Sequence, residues 1–249
     1  MVQHASDASD EASASSGIFR LFGKWDLINA DGPNKGSLFV KLEHRHRIGA
    51  ITPAALAGEV GYAGVTGVLF NDANLILNEF NWQHYLNEGK TGLVVGRFDP
   101  NDYMDVSGYK NPWTTFHNLA SLFNTSIALP DTSWGVGMGH WFDNGTYILG
   151  TVNDANGSLT QQKAFEHGAE YFKQIGLGWT PARSLRYNNN IQLTYLESDA
   201  REHAGVPAGD GVAIHANWTF DDNWMLWTRL GWSDCLAPIY KESYSPGFA

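Results

Sequence analysis

The stretch GVAIHANWTFDDNWMLWTRLGW, residues 211–232, carries the reading of the fold. Val212, Ile214, Ala216, Trp218 and Phe220 recur at every second position, against Ala213, His215, Asn217 and Thr219. After the turn signal FDDN at 220–223, Trp224, Leu226, Leu230 and Trp232 share a face opposite Asn223, Met225, Trp227 and Arg229. A period of two places alternate side chains on opposite faces of a strand. Two such runs across a short polar turn read as a hairpin with one greasy and one wet face.

The same rhythm runs outward through the chain from residue 17. Strand candidates fall at 17–28, 36–48, 64–71, 75–86, 90–98, 133–142, 145–154, 171–180, 188–198, 211–220 and 222–232, and residues 236–249 can supply a twelfth. Turn chemistry separates them at DGPNKG (31–36), DNG (143–145), NDANG (153–157) and RYNNN (186–190). Helix is scarce. Residues 112–123 and 160–168 can make short helices, both in loops between strands. The segment 99–132 is the longest without a strand signal, and a loop of that length is usually functional or disordered. In a barrel it can fold into the lumen.

Composition narrows the class. The 249 residues carry a net charge of −10, 17 % charged side chains, 27 Gly, 10 Trp and one Cys. Nucleic acid is not expected as a partner, since phosphate binding needs clustered Lys and Arg. A single Cys excludes a disulfide scaffold and a Cys-based zinc site, and Cys235 reads as a small filler. No run of about 18 apolar residues is present, which excludes a membrane-spanning helix but not a membrane barrel, whose signal is alternation. Residues 1–16, MVQHASDASDEASASS, read as a disordered acidic tail and lack the basic start and apolar core of an export signal. Residues 17–249 then form one β-barrel domain.

The wet face is either bulk solvent or a barrel lumen. Trp25, Trp82, Trp134, Trp141, Trp179, Trp218, Trp224 and Trp232 lie near strand ends, where aromatic girdles of a membrane barrel would place them. A soluble sandwich with aromatics in its core is the alternative.

Lys41, Glu43, Arg45 and Arg47 stand at i, i+2, i+4 and i+6, a ladder of about 20 Å on one strand face. Inside a barrel they would offer donors and acceptors to a polar solute, whose hydroxyls are costly to strip of water unpaired. Arg20, Lys24 and Asp26 share a face of the first strand, and Arg97 and Asp99 share one at the end of 90–98. Mixed sign fits a neutral polar solute. His44 and His46 share the greasy face, with no evident third metal ligand. DPNDYMD at 99–105 misses the glycine of a calcium loop, with Met104 in its place. Glu43 with Asp26, or Asp99 with Asp102, are carboxylate pairs that a glycosidase could use, though nothing selects them. No cofactor is expected.

The run WQHYLNEGKTGLVVGRFDP, Trp82 to Pro100, followed by NDYMD at 101–105 and by Phe116, His117, Asn118, Leu119 and Ala120, resembles the core of the carbohydrate-selective porins of Gram-negative outer membranes. The strands WGVGMGHWF and GLGWTP are in the same manner. The resemblance implies an antiparallel transmembrane β-barrel, sixteen-stranded in that family. It implies passive, non-catalytic diffusion of small sugars through a charge-lined eyelet, with outer-membrane lipid around the barrel. A homo-oligomer is compatible with it. Arg97 and Asp99 match the basic and acidic residues of the family's G-[KR]-F-D motif. Eleven or twelve strands fall short of sixteen, and Phe248 stands one place before the end, so the barrel is expected to be incomplete at its C-terminus. A soluble carbohydrate-binding module or glycosidase is the rival, and a barrel for dicarboxylate or phosphate a third reading.

Overall fold

The computed structural model describes all residues except 105, 107, 109, 110, 114, 128, 161, 222 and 235–239. Asp105 and Cys235 therefore lie outside the described residues.

One twelve-stranded sheet in the order β1 to β12 accounts for the architecture. Its long strands are β2 (Ser13–Ile28), β3 (Gly36–Arg47), β4 (Asn74–Leu86), β5 (Thr91–Phe98), β6 (Ser133–Trp141), β7 (Thr146–Asp154), β8 (Tyr171–Trp179), β9 (Asn189–Ser198), β10 (Gly209–Phe220) and β11 (Trp224–Asp234). Short β1 (Val2–His4) pairs with the start of β2, and β12 (Glu242–Phe248) pairs with β11. Every neighbour is antiparallel. Among the described residues β12 has no second partner strand, and β2 has none on that side beyond Ser15. No helix among the described residues is long and apolar enough to cross a membrane, which says nothing of a β-barrel.

The two faces of the wall differ as alternation requires. On β10, Ala213, His215 and Asn217 are buried inside, while Trp218 and Phe220 point out. Asn190, Gln192, Thr194 and Leu196 of β9 face inward, and Ile191, Leu193 and Tyr195 outward. The outer face bears a band of exposed apolar residues, among them Val95, Met138, Ile175, Leu177 and Leu226. Outward charges sit near strand ends, as in Lys173 paired with Glu197 at 3.2 Å and Asp199 at 3.1 Å. An inverted distribution, polar inside and apolar outside, is what a wall between lipid and a wet lumen needs. A water-soluble sandwich would bury the apolar face instead.

Four details depart from the sequence reading. Residues 64–71 form no strand: Gly67 lies against Pro53, and Phe70 is buried beside Trp113 and His117, so these apolar residues pin the loop 48–73. Residues 1–16 are not a tail here, since Val2–His4 pair with Ser13–Ser15 and the N-terminal ammonium donates to the Ser16 carbonyl. Average polarity does not register such pairing. Among the described residues, 112–123 supply only the one-turn helix α3 (Leu119–Leu122), after α1 (Leu56–Glu59) and α2 (Asn101–Met104), and 160–168 supply none. Trp141 faces the lumen and not the girdle, sharing its face with Gly137 and Gly139 and tilting against Tyr147 at 4.4 Å.

Connections alternate in length. Turns at 29–35, 87–90, 142–145, 180–188 and 221–223 are short, whereas 48–73, 99–132, 155–170 and 199–208 are long. Long connections thus gather at one end of the wall and short ones at the other.

Candidate functional site

The loop 99–132 folds inside the wall because its apolar residues have somewhere to go. Met104 and Ile127 pack with Phe172 (β8), Leu196 (β9) and Ala213 (β10), inward positions that are apolar on an otherwise polar face. The freed backbone groups are met by the strands. Gln174 donates to the Pro100 carbonyl at 2.8 Å, Gln192 to the Met104 carbonyl at 2.9 Å, and Arg229 to the Ser121 carbonyl at 2.9 Å. Asn124 donates to the Leu230 carbonyl, and its side-chain oxygen accepts from Ser126 and Ser243 at 2.7 Å each. The Asn118 side chain caps α3 by accepting from the Ala120 N–H. The loop is thereby fastened to β8–β12.

Gly231 allows this approach. A Cβ there would lie 2.1 Å from Ser126 Oγ and 2.4 Å from Asn124 Oδ1. Gly231→Val is expected to displace the loop from β11. Limited proteolysis within 99–132 reads this as faster cleavage, and an unchanged rate would contradict it.

The side away from these anchors, β2 to β7, lines a cavity of about 1130 Å³. On its wall Glu43 is fully buried between Arg20 at 2.5 Å and Arg45 at 2.6 Å. Lys41 pairs with Glu79. The Arg20 guanidinium also lies 3.8 Å over the Trp113 ring. Arg20, Lys41 and Arg45 line the cavity, and so do Asp99, Asp102 and Asp131 of the loop. Asp99 feels the charge of Lys41, Asp102 those of Lys41 and Arg20, and Asp131 those of Arg45 and Arg97. A basic wall therefore opposes an acidic loop across the space.

Enclosure pushes the carboxyls of Asp99 and Asp102 above the ordinary range, and the Asp102 charge adds to the rise at Asp99. Asp131 is raised for the same reason, against the pull of Arg45 and Arg97. A raised acid stays neutral to higher pH when folded than when unfolded. Its ionisation therefore costs stability as pH climbs above the unfolded value of about 4. It also adds negative charge to the loop side. Stability is expected to fall as pH rises beyond the range where free carboxylates have finished titrating. Urea unfolding at graded pH measures this, and a flat profile would contradict it.

Of the residues singled out in the sequence, the structure brings together Lys41, Glu43, Arg45 and Asp99. Arg47 is elsewhere: it is exposed at the strand end, where its N–H donates to Asp72 and its guanidinium to the Ala50 carbonyl. Arg97 is buried and donates to the carbonyls of Leu77 at 2.9 Å and Ser158 at 2.6 Å, tying β4 and the loop 155–170 together. Arg97→Ala is expected to lower stability by about 3 kcal/mol, the scale for removing a buried, bonded charge, as read by urea unfolding of the folded barrel. Unchanged stability would contradict that role.

Asp26 lies near the turn end of β2, bonded to Ser37 and Lys35 and remote in register from Glu43, so those two form no carboxylate pair. His44 and His46 face each other at 5.4 Å, and no cluster of three ligating side chains occurs among the described residues. No sequence pattern marks Glu79, Trp113 or Asp131 as site residues. A bulge between Lys41 and Leu42 shifts the register against β4, so alternation alone does not place Glu79 beside Lys41.

No protein-family model and no curated protein sequence matches the chain. Among solved structures, the high-pH structure of Pseudomonas putida OprB aligns at a TM-score of 0.68 and 11 % identity, taking in 99 % of this chain and 67 % of that one. Salmonella typhi OmpF in complex with daunomycin aligns at 0.44 and 9 % identity, over 93 % of this chain and 75 % of that one. An inverted twelve-stranded antiparallel wall, a loop folded within it and the likeness to OprB together establish that this chain has the fold of an OprB-like porin, an all-β barrel.

Proposed function

We propose that the protein is a porin of a Gram-negative outer membrane, through which small carbohydrates pass by facilitated diffusion. The observation that carries this reading is the cavity between the Arg20, Lys41 and Arg45 wall and the Asp99, Asp102 and Asp131 loop. The ladder's charges are matched by Glu43 and Glu79, so the site offers many oriented donors and acceptors without a large local excess of charge. Such groups replace the hydration of a sugar's hydroxyls one by one, and passage requires that they hold it weakly enough to release it. Lys41, Arg45 and Asp99 are the solute-facing set, joined by Arg20 and Asp102, and the buried Glu43 holds the two guanidiniums in place. Arg47 and Arg97 frame the wall and its loops. The apolar outer band is the surface in contact with lipid. Its long connections would face the exterior and its short turns the periplasm.

Ion current through the protein in a planar bilayer tests this. Glucose is expected to interrupt the current in a concentration-dependent way. Arg20→Gln is expected to weaken that block about fivefold, the worth of one hydrogen bond of roughly 1 kcal/mol. Current that glucose leaves untouched would overturn the carbohydrate reading while leaving a pore.

A further inference from the structure

At the short-turn end the cavity meets a second group of side chains. Arg183 and Arg186 stand on the connection between β8 and β9, and both line the cavity with Tyr85, Trp141 and Tyr147. The guanidiniums of Arg183 and Arg186 lie 5.7 and 5.8 Å from the centre of one ring, that of Trp141. Arg183 is also 5.6 Å from the Tyr85 ring, and Arg186 is 5.1 Å from that of Tyr147. Each donates to a main-chain carbonyl, Arg183 to Gly89 and Arg186 to Tyr103, and Arg186 also bonds to the Tyr147 hydroxyl while its Nε is buried; this fixes their places, and the forks carry further N–H groups at their ends.

The charge balance here differs from that of the ladder. Among the described residues no carboxylate lies within 4 Å of Arg183 or Arg186. Of the described acids at this end, Asp143 pairs with Lys90 at 2.6 Å and Asp26 with Lys35 at 3.3 Å, while Asp31, Glu88 and Asp221 are exposed on their turns. Two like charges are thus held over one aromatic ring. Cation–π attraction holds each guanidinium beside its rings while N–H groups remain to meet an oxyanion.

The geometry points to a binding site for the carboxylate of a sugar acid at this mouth, with Arg183 and Arg186 holding the carboxylate. Tyr147 is buried, and its hydroxyl bonds to Asn190 at 2.6 Å and Gln192 at 2.8 Å, so the shelf beneath the site is rigid. The sugar body extends into the cavity, and only this part of the assignment rests on the carbohydrate reading above. An anion also relieves the mutual repulsion of the two cations, an effect absent for a neutral sugar.

Equilibrium dialysis on the detergent-refolded protein tests the site without requiring conduction. At low salt, radiolabelled gluconate is expected to bind at least tenfold tighter than glucose. The double variant R183Q/R186Q, with its heat-sensitive gel mobility confirming that it folds, is expected to lose that preference. Salt near 0.5 M is expected to weaken gluconate alone, because screening acts on the charge. Gluconate bound no tighter than glucose, or bound equally by the double variant, would overturn the site. Inorganic phosphate bound as tightly as gluconate would overturn its assignment to a sugar acid. Loss of ion current with gluconate binding intact would instead count against the porin reading.

Discussion

Leu193→Arg is expected to destabilise the folded protein in lipid by about 2–4 kcal/mol. Leu193 sits mid-strand on β9, half-exposed on the outer face, opposite Leu177 of β8 and Ile214 of β10. A guanidinium at the middle of a bilayer on the lipid face of a barrel costs about 2–4 kcal/mol. That is a large part of the roughly 5–15 kcal/mol that holds a folded protein together. Glu197→Gln, outward on the same strand but near its end, is the control and is expected to change stability by under about 1 kcal/mol, as for polar changes near the interface. Urea unfolding from lipid vesicles measures both. In a water-facing sheet an exposed arginine would cost almost nothing, so a Leu193→Arg protein as stable as wild type would contradict a lipid-facing wall.

The second large effect belongs to Glu43. This carboxylate is fully buried with a guanidinium on each side, Arg20 at 2.5 Å and Arg45 at 2.6 Å. Glu43→Gln keeps the shape and removes the charge that both cations share. Taking one partner from a buried ion pair costs about 3–5 kcal/mol, mostly from the charge left behind. Two cations then face each other across one amide. The variant is expected to unfold at markedly lower urea and, where folded, to shift selectivity toward anions. Glu43→Gln combined with Arg45→Met is expected to recover part of the stability, because it removes the more deeply buried unpaired guanidinium. A Glu43→Gln protein as stable as wild type would show that lumen water screens the triad.

Local pattern is what made the wall legible. The strands at 211–220 and 222–232 alternate so regularly that their inner and outer faces follow from the sequence, and the structure places Ala213, His215, Asn217 and Arg229 inside accordingly. The same parity turned Lys41, Glu43 and Arg45 to the lumen. It gave no account of the loop 99–132 beyond its length, because the loop's position depends on contacts more than fifty residues away, such as Asn124 with Leu230 and Gln174 with Pro100. Asp131 and Asp102 become partners of the basic wall only through that placement. Sequence alone places Trp141 in the girdle because strand ends look alike in sequence. Its sharing of a face with Gly137 and Gly139 is the signal that turns it inward. Arg97 lies beside a break in alternation at Gly96, whose φ of +131° and close approach to the Phe80 carbonyl mark an irregular backbone. Its carbonyl partners, Leu77 and Ser158, follow from no pattern in the strand itself.

Passage of sugars through the folded protein tests the central claim most directly. The wild-type protein, reconstituted in liposomes loaded with an impermeant polymer, is placed in isotonic glucose and then in isotonic solutions of progressively larger oligosaccharides. Rapid swelling in glucose that falls away as the sugar grows is the predicted result. Liposomes that stay unswollen in glucose, with the protein folded in their membranes, would contradict it.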